Sequence, residues 1–332
     1  MGVSILNADC REALAGLADE SVHCVVTSPP YWQLRDYGHP DQLGLEATPA
    51  EYVEALVEVF REVRRVLRRD GTLWLNLGDT YIGGRSGGIG ASSITSQRNH
   101  LAARAAWVAT GGWSHRRGAG LKRKDLVGIP WRVALALQAD GWWLRSDIVW
   151  AKPSPMPERV LDRPTRAHEY LFLFAKSKRY YYNAEAIAEP IAEKTYTTYG
   201  TSRVAKGNDG RGGVKADNIA RDLPERRPCV DEDGQPVCTR NRRDVWTIAQ
   251  EPFVESHFST FPTKLVEPCI LAGCPVDGTV LDPFAGAGTT GLVADRLGRA
   301  AILIELNSDY CEMATSRIKM DAPLTTVVSL TK

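Results

Sequence analysis

The sequence predicts an α/β fold on a largely parallel sheet, and three observations predict it. The chain opens with two strand-then-helix steps, closes with strand, Gly-rich loop, helix and strand, and places one long amphipathic helix between β-rich runs. Strands alternating with helices are the pattern of parallel sheets, whose strand ends are where such proteins put their chemistry. At 332 residues the chain is long enough to bury a full core. One domain with large insertions is expected.

The first strand spans Val3 to Leu6, with Asp9 just beyond it, and a helix covers Arg11 to Leu17. The β-rich run Val22 to Val26 leads into Thr27-Ser28-Pro29-Pro30-Tyr31-Trp32. Two prolines in a row donate no ladder hydrogen bonds, so the strand stops there and the chain leaves in an extended conformation. Thr48, Pro49 and Glu51 form a capping box with proline at the first helical position. Val53, Leu56, Val57, Phe60, Val63 and Leu67 recur at helical spacing, Gly71 is read as the stop, and Leu73 to Leu77 as the next strand. An apolar helix near Trp131 to Leu137 and strands near Leu144 to Trp150 and Tyr170 to Phe174 complete the sheet. The tail reads as a strand Thr279 to Leu281, a loop Asp282 to Thr289, a helix to Leu297, a strand Ala300 to Leu306 and a final helix.

Two stretches interrupt this order. From Gly83 to Lys124 the sequence is Gly- and Ser-rich and carries Arg85, Arg98, Arg104, Arg116, Arg117, Lys122, Arg123 and Lys124 with no acidic residue. That local asymmetry suits a polyanion, although the whole chain balances 41 Lys and Arg against 40 Asp and Glu. The second stretch, about Glu189 to Arg243, is irregular and ends in the basic cluster Arg240, Arg242 and Arg243. The expected organisation is a catalytic half at 1–82, a basic insertion at 83–125, completion of the sheet at 126–188, a recognition region at 189–250 and a cofactor half at 251–332.

Composition excludes several classes. Seven cysteines, without CxxC spacing, argue for free thiols in a reducing compartment rather than a disulfide framework or zinc site. The six histidines show no metal-ligand spacing, so no metal is expected. No apolar run approaches a membrane span and the N-terminus lacks a signal-peptide pattern, which points to the cytoplasm.

Asp282-Pro283-Phe284-Ala285-Gly286-Ala287-Gly288-Thr289-Thr290 follows a strand and opens a helix, where glycines let a ligand approach the backbone. Glu305 ends the next strand, placed to accept hydrogen bonds from ribose hydroxyls. The spacing is not GxGxxG, so a nucleoside ligand without phosphates fits better than a dinucleotide. A tight βα turn with an incidental Glu is the bland alternative. In the Ser-Pro-Pro-Tyr run, the Ser28 hydroxyl and Pro29 carbonyl can accept hydrogen bonds from an exocyclic base amine, whose lone pair must be drawn out of the ring before it attacks. Pro29 and Pro30 would hold those acceptors rigid, and Tyr31 offers a ring on which a flipped base can stack. A mere strand terminator is the competing reading.

The two motifs, Thr27 to Trp32 and Asp282 to Thr290, resemble the amino-methyltransferases of DNA, the N4-cytosine/N6-adenine family. Their order, catalytic motif first, resembles the permuted beta class, and the resemblance covers nearly the whole chain. It implies a Rossmann-like, S-adenosylmethionine-dependent fold with a mixed seven-stranded sheet flanked by helices. It further implies Asp9 near the cofactor adenine, and Phe258 to Lys264, with Thr263 and Lys264, over the methionine end of the cofactor. Trp150-Ala-Lys-Pro153 and Arg163 to Glu169 resemble later motifs supporting the active-site wall, although His168-Glu169 reads equally as an ordinary hydrogen-bonded pair. Ser at position 28, where adenine enzymes more often carry Asp, favours cytosine N4, with adenine N6 the runner-up.

Duplex DNA is the expected partner. Arg116, Arg117, Lys122, Arg123 and Lys124 would grip phosphates, Trp107 and Trp113 would wedge or stack, and Arg240, Arg242 and Arg243 would read guanine edges or hold phosphates. A solvated loop is the competing reading. Pro268-Cys269 and Pro228-Cys229 lack the context of a cytosine C5 nucleophile. The rival functions are an RNA methyltransferase, a DNA-binding subunit whose catalytic site has lapsed and, more distantly, a nicotinamide oxidoreductase. A restriction endonuclease acting on the same site would be a natural partner.

Overall fold

Helix α2, Pro49–Val66, forms as its sequence dictates: the Thr48 hydroxyl accepts from the Glu51 amide and the Glu51 carboxylate from the Thr48 amide. Its apolar face, Tyr52, Leu56, Val59, Phe60, Val63 and Val66, is buried. The computed structural model describes residues 2–34, 39, 42–82, 120–190, 229–230, 236–237, 239–251, 261–321 and 327–331. The sequence-predicted contacts at Arg116, Arg117, Trp107 and Trp113 lie outside the described residues.

Among the described residues nine strands form the main sheet: β1 Gly2–Asn7, β2 Val22–Thr27, β3 Leu67–Leu77, β4 Trp143–Ala151, β5 His168–Ala175, β6 Val245–Thr247, β7 Thr279–Asp282, β8 Ala300–Glu305 and β9 Val327–Thr331. Their order is β6-β4-β5-β3-β2-β7-β8-β1-β9. Every neighbouring pair is parallel except the two that involve β5. The seven strands from β4 to β1 match the expected mixed sheet, and β6 and β9 extend it at either edge. The remaining helices are α1 Cys10–Ala15, α3 Ile129–Ala139, α4 Thr263–Gly273, α5 Thr289–Arg296 and α6 Ser308–Asp321.

One boundary differs from the sequence reading. Leu67 already leaves the helix with extended backbone and pairs with Val22, so β3 begins there rather than at Leu73. Gly71 is no helix stop but part of the strand, beside the register shift against β2. A Cβ at Gly71 would lie 2.5 Å from the Leu67 side chain, so only glycine lets the chain close over that leucine.

The chain divides into two compact units, Met1–Asn183 with Asp244–Lys332, and Ala184–Arg243. Residues 244–250, expected in the recognition region, fall in the first unit because Val245–Thr247 pairs with β4. Within the second unit, Glu189–Pro190 pairs with Thr239–Arg240 and Cys229–Val230 with Pro236–Val237, both antiparallel. No described helix is long and apolar enough to cross a membrane.

Candidate active site

Two strands far apart in sequence meet at the centre of the sheet. Val280 and Leu281 of β7 lie beside Cys24 and Val25 of β2, so both key loops leave neighbouring carboxyl ends. The junction is pinned by Asp282, which is fully buried. Its carboxylate accepts from the Thr27 hydroxyl at 2.6 Å, the Thr290 hydroxyl at 2.7 Å and the Phe284 amide at 3.1 Å. Burial pushes this carboxyl up to about 6, with the three donors pulling the other way. Asp282 therefore ties the start of one loop to the other.

The glycines of the second loop do different work. Gly286 has φ +50, and a Cβ there would meet nothing within 4 Å because the position borders open space. Gly288 has φ +73, and a Cβ there would stand 2.7 Å from that of Ala314, so it lets α5 and α6 approach. At the end of β8, one oxygen of Glu305 accepts from the Gly286 amide at 2.8 Å and the other from Asn307 at 2.9 Å. Burial raises the Glu305 pKa, while the two amides favour its charged form.

Ser28 begins a connected polar chain. Its hydroxyl lies 3.2 Å from Asn76 Oδ1 and 3.4 Å from the Tyr31 hydroxyl. The Tyr31 hydroxyl in turn lies 3.0 Å from Asn76 Oδ1 and donates to Glu169 Oε2 at 2.7 Å. The Asn76 amide nitrogen donates to the Tyr170 carbonyl and to Glu169 Oε2. The other Glu169 oxygen is paired with Lys152, whose ammonium sits 4.4 Å above the Trp150 ring. Burial, then the Glu169 charge, hold the Tyr31 phenol well above its usual range, so it stays protonated. Because β5 alone runs antiparallel, its first residues lie at the same edge as the last residues of β3 and β4. That reversal brings Glu169 to Asn76 and Lys152.

Both groups of residues line one cavity of about 250 Å³. Its walls include Ser28, Pro29, Pro30, Tyr31, Asn76, Lys152 and Glu169. Asp9, Cys10, Pro283, Phe284, Gly286, Thr289 and Glu305 line it as well. The Pro30 carbonyl is occupied by the Tyr52 hydroxyl at 2.8 Å, while among the described residues none donates to the Pro29 carbonyl. A Cβ on Gly78 would come within 2.3 Å of the Tyr31 ring, so the ring lies flush against that backbone. Asp9 caps α1 and pairs with Arg11, whose hydrogen bond lowers its pKa.

Several sequence-predicted site residues do not reach the cavity. Asp282, Gly288 and Thr290 are buried and are not among the residues that line it. Thr263 and Lys264 are likewise not among the lining residues: the Thr263 hydroxyl and amide donate to Glu251, and the Lys264 side chain is exposed. Phe261, from the same segment, does line it. Lys122, Arg123 and Lys124 are exposed on a turn that pairs with residues 80–82, and Lys124 bonds to Asp162 at 2.5 Å. Arg240 and Arg243 both pair with Glu189 within the second unit, and Arg242 is half-buried. Asn76 was missed by the sequence reading. A polar residue inside the buried run Leu73 to Leu77 was the available signal.

The N6/N4 family model described as DNA methylase matches residues 22–316. The chain is 44% identical over 316 residues to the Type II methyltransferase M.SmaI of Serratia marcescens, covering 95% of this chain and 90% of that protein. It is 42% identical over 318 residues to M.Cfr9I of Citrobacter freundii, covering 96% and 88%. Among solved structures, the PvuII DNA methyltransferase, described as cytosine-N4-specific, superposes with a TM-score of 0.58 at 17% identity, covering 99% of this chain and 95% of that one. A Thermus thermophilus DNA modification methylase, TTHA0409, solved with S-adenosyl-L-methionine, gives 0.56 at 22%, covering 99% and 100%. The family-model match over most of the chain, joined to relatives above 40% identity across nearly their whole length, shows that this protein belongs to the N6/N4 DNA methylase family.

Proposed function

We propose that the protein transfers a methyl group from S-adenosylmethionine to the N4 amine of a cytosine turned out of duplex DNA. One observation carries the reading: the Ser28 hydroxyl opens onto the same cavity as the Gly286 backbone and Glu305. The cofactor fits the residues present. Gly286 leaves room against the backbone, Glu305 retains lone pairs for ribose hydroxyls, and Phe284, Ile304 and Tyr310 offer apolar surface to an adenine. When bound, the cofactor supplies an electrophilic methyl group on a sulfonium.

The chain's own groups prepare the amine. Ser28 gives its hydrogen to Asn76 Oδ1, which leaves oxygen lone pairs to accept from the amine, and the Pro29 carbonyl is the second acceptor. Two fixed acceptors draw the nitrogen toward sp³ geometry and aim its lone pair, so the contribution is positioning and electrostatics. No thiolate takes part: burial pushes the Cys10 thiol, which lines the cavity, up to about 12. For the duplex, Lys122, Arg123 and Lys124 supply exposed cations, with Arg240, Arg242 and Arg243 as further phosphate or guanine contacts. The Type II names of the relatives support a restriction endonuclease acting on the same site as the biological partner.

Cytosine is favoured because position 28 is Ser rather than Asp, and the cytosine-N4-specific PvuII enzyme shares the fold. Adenine N6 is the second reading, since Ser28 and Pro29 would accept from that amine equally. Incubation with mixed-sequence duplex DNA and labelled cofactor, followed by digestion to nucleosides and mass spectrometry, tests this. N4-methylcytosine is expected. N6-methyladenine would overturn the base assignment, and product on RNA alone would overturn the substrate.

A further inference from the structure

A methylated amine carries one proton too many, and the product forms only when that proton leaves. We infer that it leaves through Ser28 and the Tyr31 hydroxyl to Glu169, a relay that makes Tyr31 and Glu169 parts of the reaction rather than of the wall. The inference rests on the reading that a base amine is the methyl acceptor, and holds for either base.

The three groups already lie in sequence, and turning the Ser28 hydrogen from Asn76 Oδ1 to the Tyr31 oxygen completes the path. Ser28 Oγ lies 3.4 Å from the Tyr31 hydroxyl, and that hydroxyl lies 2.7 Å from Glu169 Oε2. Asn76 cannot carry a proton onward, because its Oδ1 only accepts and its amide nitrogen is held to the Tyr170 carbonyl and Glu169. Its Oδ1 instead lies within hydrogen-bond distance of both hydroxyls and keeps them side by side, while the one Tyr31 hydrogen goes to Glu169. Glu169 is the carboxylate at the end of the path, and one of its oxygens faces Tyr31 while Lys152 holds the other. A relay needs a hydroxyl that gives one hydrogen as it takes another, which suits a phenol that stays protonated.

The step balances. The nitrogen–methyl bond forms as the sulfur–methyl bond breaks, with the sulfur keeping the electron pair and becoming a neutral thioether. The amine proton passes to Ser28 Oγ, the Ser28 hydrogen to the Tyr31 oxygen, and the Tyr31 hydrogen to Glu169 Oε2. An N-protonated exocyclic amine of this kind is far more acidic than a carboxylic acid, so even a carboxylate paired with Lys152 accepts the proton downhill. Glu169 and Lys152 both line the cavity, which lets the proton pass on to solvent after the product leaves.

The test compares wild type, Glu169→Gln and Glu169→Asp in single-turnover methylation of duplex DNA. Cofactor affinity and the fluorescence of a base analogue at the target position are measured alongside. Gln still accepts the Tyr31 hydrogen bond but cannot take the proton. Glu169→Gln is expected to lose about 100-fold in rate with KM for DNA, cofactor affinity and base flipping close to wild type, and Glu169→Asp to recover part of the loss. The double variant Lys152→Met/Glu169→Gln removes the unpaired ammonium and is expected to stay equally slow, which separates proton acceptance from misfolding. A Glu169→Gln rate equal to wild type, a defect confined to KM or base flipping, or rescue by the double variant would overturn the relay. Failure of wild type itself to methylate an amine would instead overturn the reading beneath it.

Discussion

At Asp282 a single carboxyl shows how burial and hydrogen bonding compete. It rises from 3.8 to about 6 because burial outweighs the donors Thr27, Thr290 and Phe284. Its folded-state value lies above its unfolded one, so between the two the native state binds more protons. Its contribution to stability is therefore greatest at low pH and falls by up to roughly 3 kcal/mol as pH rises from about 4 to about 6. Asp282→Asn removes that contribution, and denaturant titrations across the interval should show the wild-type advantage over the variant shrinking as pH rises. A constant difference would mean that the donors match the burial cost. At this scale Ser28, Pro29, Gly286 and Glu305 were legible, because each chemical requirement is met within a short motif. The ties of Ser28 to Asn76, 48 residues on, and of Tyr31 to Glu169, 138 residues on, were not, because only the sheet order creates them.

Elements were legible where caps and periodicity agreed, as in α2, and less so where a strand begins against its own helix. β3 was read six residues short because Leu67-Arg68-Arg69-Asp70 lacks apolar alternation and is held extended by partners distant in sequence, Val22, Lys176 and Tyr181. The edge strand β9 was overlooked after the final helix, although Val327-Val328 is a β-branched pair. The close approach of α5 to α6 yields a prediction about packing. Gly288→Ala places a methyl group 2.7 Å from Ala314 at a left-handed φ, and should cost about 2–4 kcal/mol by thermal or denaturant unfolding. A loss under about 0.5 kcal/mol would show that the two helices can part freely.

For the molecule as a whole, near-neutral charge conceals an uneven distribution that sequence alone could locate but not orient. The family and the fold followed from two motifs and their order, while the boundary between the two units did not, because β6 returns to the sheet after a long excursion. On the proposed function, Ser28 serves the base and Gly286 the cofactor within one cavity. Calorimetric titration of S-adenosylmethionine into wild type, Ser28→Ala and Gly286→Val separates the two roles. Ser28→Ala is expected to bind within about threefold of wild type, having lost only a contact to the base, whereas Gly286→Val fills the open space beside the backbone and is expected to bind at least about 100-fold more weakly. Loss of affinity in Ser28→Ala, or its retention in Gly286→Val, would contradict the division.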